Sequence, residues 1–546
     1  MSLFEDLKEV VKGEVLADPP TLSLYSHDTS LFEVKPQVVV YPKDSEDIEK
    51  LIKYVSEKKK EDPTISLTAR SGGTDMGGGA INDSIIMDFS KHFNRMGEVN
   101  KEGTEVQPGV FYRDFEKETL KKSLLMPSYP ASRGLCALGG MINNNAGGEK
   151  TLTHGKTIDY VTELEVILSN GKKYTLKKLS KEQLMEKMDQ DDFEGEIYRK
   201  VQKLAEENYD LIKSAKPNVS KNSTAYNIWD VWDRESFDLT KLFVGSQGTL
   251  GITTDIKLRL IHYEKFSGLL AISANDMEKL PHLINDIVVT KPESFEVFDD
   301  HTMKLAIQFM PQFIKILGLW GTIGMGFQFL PQLFTFIFKG LPKFTMLVEF
   351  EGDTQEEVVE KIENLKKQID HYGLKINLAE KKAQADRYWV IRRESFNLLR
   401  KNVKDKHTAP FIDDFIIRPE HLLEFFPRLT KILEKYQLLY TIAGHMGDGN
   451  FHIIPLMDLR IPSEKAKIEP CANEVYDLIV EFKGSISAEH NDGLIRGPFL
   501  EKMYGEKMFE IFKKIKNIFD SQNIFNPHKK TDADMSYTLN HIRDHF

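Results

Sequence analysis

The spacing of hydrophobic positions divides the first part of the chain into strands and helices. Runs of β-branched and apolar residues predict strands at 37–41 and 65–69. Between them, a helix can be capped by Ser45, and its buried face is predicted to hold Ile48, Leu51, Ile52 and Val55. Residues 161–168 alternate as a strand, and 173–176 return after Asn170-Gly171, a pair typical of a type I′ hairpin turn.

The second half of the chain alternates strands and helices more regularly. Strands are predicted at 345–351, 375–379, 411–417 and 438–443. Thr354 starts a helix that Gly373 ends, with Val358, Ile362, Leu365 and Ile369 on its apolar face, and a second helix covers 419–436. This order predicts a split βαβ, ferredoxin-like unit, and the chain as a whole is predicted to be an α+β protein.

One hydrophobic segment does not fit this pattern. Residues 301–348 contain no Asp or Glu, and 316–338 contain no charged residue at all. The uncharged stretch is long enough to span a bilayer, but its glycines and Pro331 interrupt a regular helix. A single span would also separate two parts of one soluble domain. The pattern leaves two interpretations open, a patch that contacts the membrane surface beside Lys315, Lys339 and Lys343, or a buried oligomer interface such as that of a homodimer.

Length and composition exclude several classes of protein. The 546 residues are too many for one core, so at least two domains are expected. A net charge of −10 argues against a general affinity for nucleic acid. Cys136 and Cys471 have no CxxC partner, which excludes a cysteine-ligated iron–sulfur cluster within this chain. The first residues lack a basic region followed by an apolar core, so we expect no secretory signal and a cytoplasmic location.

Three glycine clusters carry the first candidate chemistry. Arg70 to Ala80 contains five glycines directly after a predicted strand, and such loops present backbone N–H groups to an anion such as a nucleotide pyrophosphate. The loop lacks the P-loop ending and the GxGxxG spacing, and a flexible surface turn is the alternative. A second cluster, rich in asparagine, covers 130–148, and a third covers 243–253. Asparagine amides suit a heteroaromatic ring edge or a ribose.

Two histidines seven residues apart are the second feature of the sequence that indicates chemistry. His445 and His452 flank a short glycine-containing segment between predicted strands, in which a helix is disfavoured. Neutral imidazole is a common metal ligand, and Glu489 is the best candidate for a third ligand. The alternative is a purely structural turn.

Together these motifs resemble those of the vanillyl-alcohol-oxidase type of flavoproteins, and the His445, His452 and Glu489-His490 motifs resemble its D-2-hydroxyacid dehydrogenase branch. The resemblance implies an FAD-binding domain of two α+β subdomains at 35–261, after an N-terminal extension of a short helix and a connector at 1–34. It also implies a substrate-binding, ferredoxin-like cap at 262–460 that contains the hydrophobic segment 301–348. C-terminal helices at 461–546 would return to the flavin.

By the same resemblance, FAD would be held by residues from all three clusters and from the C-terminal segment. The implied residues are Ser71, Gly72, Gly73, Thr74, Asp75, Met76, Pro130, Ser132, Gly139, Gly140, Asn145, Gly147, Gly251, Ile252 and Asn526. Asp75 stands where many members have glycine, and a carboxylate there must turn away from the pyrophosphate. No histidine lies between Arg70 and Ala80, so we expect non-covalent FAD, and His154 is interpreted as an ordinary polar residue.

Oxidation of a 2-hydroxyacid requires a group that binds the carboxylate and a base for the hydroxyl proton. Arg392 aligns with the arginine that binds the carboxylate in the family, with Arg393 as its rival, and His490 is the expected general base. His445, His452 and Glu489 would bind a divalent metal, zinc, that acidifies the hydroxyl. Asn450 would orient the substrate or the metal shell.

The expected substrate is a small D-2-hydroxyacid, with D-lactate first and D-2-hydroxyglutarate or glycolate as alternatives. Relatives that oxidise D-2-hydroxyglutarate resemble this chain around Asp414 but have a lysine where Ile412 stands, and Ile412 would favour a methyl group. The chain between Arg392 and Asp414 is longer than in those relatives, and the alternative is that Lys404 or Lys406 supplies the cation from a loop. Electrons are expected to pass to a quinone or another membrane-linked carrier, which would place the protein on the inner face of the cytoplasmic membrane. A flavin-dependent lyase or transferase and a non-catalytic FAD-binding subunit are the competing functions.

Overall fold

A computed structural model describes residues 2–275, 278–300, 302–304, 342–379, 384–385, 388–389, 392 and 406–545. Helices and strands alternate throughout these residues, as an α+β protein requires. The strands form sheets of four, five, two and eight strands. The four- and five-stranded sheets form the N-terminal half, and the eight-stranded sheet lies in the cap.

The four-stranded sheet belongs to the first subdomain. Its order is Glu14–Leu16, Val38–Tyr41, Ile85–Asp88, Leu67–Arg70, and the last three strands are parallel. The edge strand Glu14–Leu16 means that the N-terminal extension is part of the sheet, where a helix and a connector were expected; its helices are Leu3–Val10 and Pro19–Tyr25. Thus the boundary at residue 35 does not separate a structural unit.

Helix Ser45–Lys58 packs on this sheet through the face that the sequence predicts. Ile48, Leu51, Ile52 and Val55 are all fully buried, and each such side chain stabilises the fold by roughly 1.5–3 kcal/mol. The helix cap differs from the prediction by one residue. Asp44 is the N-cap, and its carboxylate accepts a hydrogen bond from the Asp47 N–H at 3.1 Å, so Ser45 is the first helical residue.

The second subdomain contains the five-stranded antiparallel sheet. Its order is Thr104–Val106, Ile252–Leu258, Val161–Ile167, Lys173–Ser180, Ser236–Asp238. The predicted hairpin is present, but the type I′ turn is wrong. Of its two central residues only Gly171 has a positive φ (67°), and the Gly171 N–H bonds to the Leu168 carbonyl. Four residues from Leu168 to Gly171 therefore make the turn, and type I′ would need two residues with positive φ.

Several helices complete this subdomain. They are Tyr112–Leu120, Leu138–Asn144, Thr151–His154, Lys181–Met188, Phe193–Glu207, Tyr209–Ala215 and Thr240–Phe243. The pair Ile261–His262 and Leu124–Leu125 joins the end of this half to the loop before the second glycine cluster.

The cap contains a ferredoxin-like unit, but only two of its four strands are those from which it was predicted, since Phe266–Ala274 and Ser294–Asp299 take the places assigned to 411–417 and 438–443. Strand Phe266–Ala274, helix Leu280–Val288, strands Ser294–Asp299 and Phe344–Gly352, helix Gln355–Ile369 and strand Lys375–Ala379 follow one another. In the sheet the order is fourth, first, third, second strand, all antiparallel. Thr354 caps the second helix, whose predicted apolar face is buried, and Gly373 closes it with φ 63°.

A hairpin from later in the chain extends the cap sheet. Strands Leu439–His445 and Asn450–Met457 add beside Ser294–Asp299, and His407–Thr408 pairs at the far edge. The strand predicted at 411–417 is much shorter, Phe415–Ile416, because Asp414 has a left-handed backbone (φ 65°) that ends the extended run. Helix Leu422–Lys435 follows a short 3₁₀ turn at Pro419–His421.

The C-terminal segment consists of helices and returns to the N-terminal half. The helices are Pro462–Lys465, Ile468–Glu481, Gly493–Arg496, Leu500–Tyr504, Glu506–Phe519 and Met535–Asn540. Phe525 bridges to Leu67 in the first sheet, so this segment contacts the strand that leads into the first glycine cluster.

Within the described ranges, no helix is long and apolar enough to cross a membrane. The uncharged stretch 316–338, on which the membrane interpretation depends, lies outside the described residues, as do Arg393 and most of 301–348.

Candidate active site

A cavity of about 540 Å³ lies between the glycine clusters and the cap sheet. Part of its lining, called the nucleotide end below, is the first glycine loop from Ser71 to Met76 with residues of the second cluster. Another part, called the substrate end, is His445, His452, Glu489 and His490, and Gly147 of the second cluster adjoins Glu489. The two sets of candidate residues, predicted from distant parts of the sequence, therefore share one cavity.

The first glycine loop leaves no room for side chains on its inner side. A Cβ atom at Gly72 would lie 2.8 Å from the Leu135 carbonyl oxygen, and Gly73 has φ 63°. The Asp75 carboxylate turns back on its own loop, where it accepts hydrogen bonds from the N–H groups of Gly77 (3.0 Å) and Gly79 (2.6 Å). This removes the repulsion that the carboxylate would otherwise exert on an anion in the loop.

Residues of the second cluster also line the cavity. Pro130, Ser132, Gly139, Gly140 and Gly147 do so, together with Gly251 of the third cluster. A Cβ atom at Gly139 would lie 2.5 Å from the Pro108 Cβ, so the backbone approaches its neighbour as closely as only glycine allows.

Three residues predicted to contact FAD lie behind the lining instead. Asn145 ends helix Leu138–Asn144 with φ 49°, and its side chain accepts from the Ile158 N–H. Ile252 is buried in the core of the first subdomain. Asn526 donates to the carbonyls of Gly79 and Gln247 and accepts from Thr68. These residues hold the loops in place and are not among those that line the cavity.

Other residues that line the cavity were not predicted from the sequence. Asn143, Asn144, Gln247 and Gly248 line the nucleotide end, and they lie inside the clusters already identified. Thr29 also lines it, and its hydroxyl donates to the carbonyls of Thr74 (2.8 Å) and Asp75 (2.7 Å). No sequence signal marks Thr29, because its contact depends on how the N-terminal segment folds over the loop.

His445 and His452 lie on adjacent strands of the predicted tight hairpin. His445 ends one strand, Asn450 begins the next, and Ala443 pairs with His452. Gly449, at φ 73°, allows the turn, and a Cβ there would lie 1.9 Å from the Ile417 carbonyl oxygen. The two rings meet edge to face at 5.4 Å between centroids.

Each of these imidazoles is held at Nδ1 by a buried carboxylate. Glu296 Oε1 lies 2.5 Å from His445 Nδ1, and Asp413 Oδ1 lies 3.1 Å from His452 Nδ1. This carboxylate–imidazole arrangement is typical of histidines that bind a metal through Nε2. Burial opposes protonation of His445, but Glu296 and Glu489 outweigh it and raise its pKa to about 9.

Glu489 and His490 lie on a turn that Asp414 holds. The Asp414 carboxylate accepts from the Ser487 hydroxyl (2.7 Å) and from the N–H groups of Glu489 (2.9 Å) and His490 (2.7 Å). His490 Nδ1 lies 2.8 Å from Asp413 Oδ2, and its ring stacks on His452 at 5.0 Å. Burial disfavours the imidazolium, but Asp414 and Asp413 raise the pKa of His490 to about 9.

Lys221 is a buried cation behind Glu489. Its ammonium is fully buried and lies 2.6 Å from Glu489 Oε1 and 2.9 Å from Asp448 Oδ2. Burial opposes ionisation of Glu489, but His445 and Lys221 outweigh it and hold its pKa well below the ordinary range. Nothing in the sequence around Lys221 indicates this contact, which joins residues 268 positions apart.

Arg392 lies at the substrate end of the cavity and contacts Glu296. Its Nε donates to Glu296 Oε2 at 3.1 Å, so one carboxylate holds both Arg392 and His445. Glu296 was also missed from sequence, although an acidic residue inside the apolar strand Ser294–Asp299 is the signal of a buried polar group.

Two predicted contacts with the substrate differ from the structure. Asn450 is fully buried, donates to Asp414 Oδ1 (3.2 Å) and the Phe415 carbonyl (3.0 Å), and is not among the lining residues. Ile412 is fully buried in the hydrophobic core of the cap. The argument that Ile412 selects a methyl group is therefore wrong, because its side chain lies in the core and not in the cavity lining.

The donors present at this end fit a divalent metal. His445 Nε2 and Glu489 Oε1 are 3.3 Å apart, about the separation of two ligands held ~2.0–2.1 Å from one tetrahedral ion. Ligand atoms of Asp414, His452, Glu489 and His490 lie within 4.8 Å of one another, a set that shares His452 and Glu489 with the predicted ligands. Since Asp414 already accepts three hydrogen bonds from the 487–490 turn, we regard it as support for that turn rather than as a ligand.

Comparisons with known proteins agree with this division of the cavity. The family described as "FAD binding domain" matches residues 36–177, and the family described as "FAD linked oxidases, C-terminal domain" matches residues 268–530. The first match contains the first two glycine clusters, and the second contains His445, His452, Glu489 and His490.

Two curated relatives are similar over most of this chain. A D-2-hydroxyglutarate dehydrogenase of Pseudomonas putida is 27% identical over 525 residues, 95% of this chain and 50% of the relative, so the chain spans about half the length of that protein. The glycolate oxidase subunit GlcD of Bacillus subtilis is 27% identical over 518 residues, 93% of this chain and 91% of the relative.

A solved structure shows the same fold. The 4-ethylphenol oxidase from Gulosibacter chungangensis aligns with a TM-score of 0.67 and 15% identity, over 98% of this chain and 97% of that one.

Proposed function

The chain belongs to the FAD-linked oxidases of the vanillyl-alcohol-oxidase type, and from that premise we propose that it oxidises a small D-2-hydroxyacid, D-lactate, to the 2-oxoacid. One observation carries the proposal. Three imidazoles and Glu489 line the same cavity as the glycine loops. Names of the two relatives, a D-2-hydroxyglutarate dehydrogenase and a glycolate oxidase subunit, support the substrate class.

Arg392 would bind the substrate carboxylate, and Glu296 would keep its guanidinium at the cavity wall. In its neutral form, which prevails above its pKa of about 9, His490 would accept the hydroxyl proton at its imidazole, and FAD, when bound, would accept the hydride at N5. His445, His452 and Glu489 would hold zinc, which supplies Lewis acidity to a hydroxyl bound beside them. We propose that the FAD is non-covalent.

A small monocarboxylate is favoured by the charges at this end. Among the described residues that line the cavity, the arginines and lysines are Arg70, which lies beside Gly73 of the first glycine loop, and Arg392, while Trp389, Ala443 and Ile454 provide apolar surface. A second substrate carboxylate would lose hydration without a matching cation, which costs several kcal/mol in an apolar setting. The same scarcity of cations argues against a lyase or transferase that must bind a phosphate.

The test is anaerobic stopped-flow reduction of the bound flavin by D-lactate, D-2-hydroxyglutarate and glycolate, with L-lactate as control. We expect D-lactate to give the highest ratio of the flavin-reduction rate constant to the substrate dissociation constant. His490→Ala should retain FAD and reduce it ~10²–10⁴-fold more slowly. A clear preference for D-2-hydroxyglutarate would overturn the assignment of D-lactate as substrate. A normal rate of flavin reduction in His490→Ala would overturn the assignment of His490 as the base.

We propose that electrons then pass to a quinone or another membrane-linked carrier at the inner face of the cytoplasmic membrane. The uncharged stretch 316–338 supports this proposal from sequence alone. Full-length protein and a variant lacking 316–338 should be compared for sedimentation with anionic vesicles. A wild-type protein that ignores vesicles and associates through this stretch would support the interface interpretation instead.

A further inference from the structure

A single buried carboxylate contacts two of the imidazoles proposed to act in the reaction. Asp413 Oδ1 is 3.1 Å from His452 Nδ1, and Asp413 Oδ2 is 2.8 Å from His490 Nδ1. The two rings stack with 20° between their planes. Asp413 has no exposed surface. Its Oδ1 is hydrogen-bonded to His452, whereas Oδ2 and His490 Nδ1 face each other off the line of a hydrogen bond and neither atom has another hydrogen-bond partner among the described residues. Two buried polar atoms at 2.8 Å repel unless the nitrogen carries a hydrogen, so this contact also favours N–H at His490 Nδ1.

The backbone around Asp413 makes this double contact possible. Successive side chains of a strand point to opposite faces, which would separate Asp413 from Asp414. The left-handed conformation of Asp414 breaks that alternation, and both carboxylates reach the region of His490. The main-chain oxygen of Asp413 accepts from Arg496 Nη2 at 2.7 Å, and Arg496 is itself fully buried. Arg496 thus holds the backbone of Asp413 in place, and this limits the movement of its carboxylate.

A carboxylate that occupies Nδ1 decides which nitrogen of a neutral imidazole carries the proton. It requires N–H at Nδ1, and the lone pair is then at Nε2. Both His452 and His490 line the cavity, while Asp413 approaches each ring at Nδ1. For His490 this leaves Nε2 to accept a proton, and for His452 it leaves Nε2 as a ligand atom.

We propose that Asp413 is a positioning residue that fixes His452 and His490 together, with Nδ1 protonated and Nε2 available in each. The inference rests on the proposed function, since it assigns one anchor to the general base and to one metal ligand. Because Asp413 contacts both rings, the orientation of the general base His490 and that of the metal ligand His452 cannot change independently. A change at Asp413 should disturb proton acceptance and metal binding at the same time.

Asp413→Asn tests this without changing side-chain volume. A carboxylate can accept from two N–H groups, whereas an amide offers one acceptor oxygen and one NH₂ donor. Only one ring can then keep its Nδ1–H contact, and the other must reverse its tautomer or move. We expect flavin reduction to slow by ~10² or more and metal affinity to fall ~10–100-fold. Substrate and FAD dissociation constants should stay within a few-fold of wild type.

Two further variants separate positioning from stability. Asp413→Glu retains both acceptor oxygens and should recover part of the rate. Asp47→Asn is the matched control, because Asp47 is also fully buried but accepts from the backbone N–H groups of Lys12, Gly13 and Lys43 far from the cavity. If Asp413→Asn reduces flavin as fast as Asp47→Asn, the proposal is overturned.

¹⁵N-histidine NMR in alkaline solution, where the rings are neutral, reads the tautomers without reference to activity. His452→Gln and His490→Gln assign the signals. In FAD-loaded, EDTA-treated wild type, both rings should carry the proton at Nδ1, and in Asp413→Asn one should carry it at Nε2. Unchanged tautomers in the variant would overturn the proposal. Normal turnover by His490→Ala would instead remove the base assignment and leave this measurement to decide the positioning role.

Discussion

The buried ammonium of Lys221 should control the local stability of the turn that carries Glu489. Lys221→Met keeps a long apolar side chain but leaves the Glu489 and Asp448 carboxylates, 6% and 4% exposed, without their shared cation. Removing one partner from a buried ion pair costs ~3–5 kcal/mol, because the remaining charge stays desolvated. If local opening becomes easier by that amount, the amide hydrogens there should exchange roughly 10²–10⁴-fold faster.

The pH dependence of this effect has a definite sign. The pKa of Glu489 is held low in the folded state, so the stability that Lys221 confers through it is present above the ordinary pKa of ~4.3 and is lost as pH falls through the lower folded value. Burial lowers the pKa of Lys221, but Asp448 and Glu489 outweigh this and raise it, so the contribution persists through pH ~10.4. The penalty of Lys221→Met should be largest between pH 5 and 10 and should shrink in acid.

The assay is hydrogen exchange by mass spectrometry on FAD-loaded, EDTA-treated protein, following peptides that contain Glu489 or Asp448. Lys516→Met is the matched control, since Lys516 is a buried lysine 2.6 Å from Asp520 and should accelerate exchange only around its own helix. Lys221→Met combined with Asp448→Asn should recover part of the protection. Unchanged exchange around Glu489 at pH 7 would refute the reasoning.

Three further outcomes are expected. Gly72→Ala should lose FAD affinity, as followed by flavin fluorescence, because its Cβ would meet the Leu135 carbonyl at 2.8 Å. An affinity equal to that of wild type would count against the loop as the FAD site. Glu489→Ala should lose the metal that elemental analysis finds in wild type, and retention of a full equivalent would remove Glu489 as a ligand. Acid precipitation should release the flavin, and colour left in the pellet would disprove non-covalent binding.

The local parts of the candidate site were predictable because they depend on short-range rules. Glycines at 447 and 449 between apolar runs predict a tight hairpin, and the hairpin places His445 and His452 as expected. Helix 355–369 follows from its apolar spacing, whereas the alternation of elements predicted a ferredoxin-like unit with only two of its four strands correct. For the hairpin and the helix the pattern is contained within a few tens of residues.

Partners that come from distant segments were not predictable. Glu296 meets His445 because their strands are adjacent in the sheet and these two residues pair directly, 149 positions apart in sequence. Asp413 reaches two rings only because Asp414 adopts a left-handed backbone, which no composition rule indicates. Ile412 was misplaced for a different reason, because matching one position to relatives does not show whether its side chain faces the cavity, and here it lies in the hydrophobic core.

The pairing of Asp299 with Phe344 lets the chain leave the cap sheet and re-enter it at neighbouring points, because these two residues lie opposite each other at the ends of adjacent antiparallel strands. The first residues after Asp299 belong to the scaffold, since Thr302 and Met303 are buried and Thr302 lines the cavity. The entropy of closing a loop grows only slowly with its length, by about 0.6 kcal/mol per doubling. Insertions of very different length could therefore be exchanged beyond Met303 without altering the register of the sheet. This junction is a natural place for grafting, where new targeting or docking segments can be added to the scaffold.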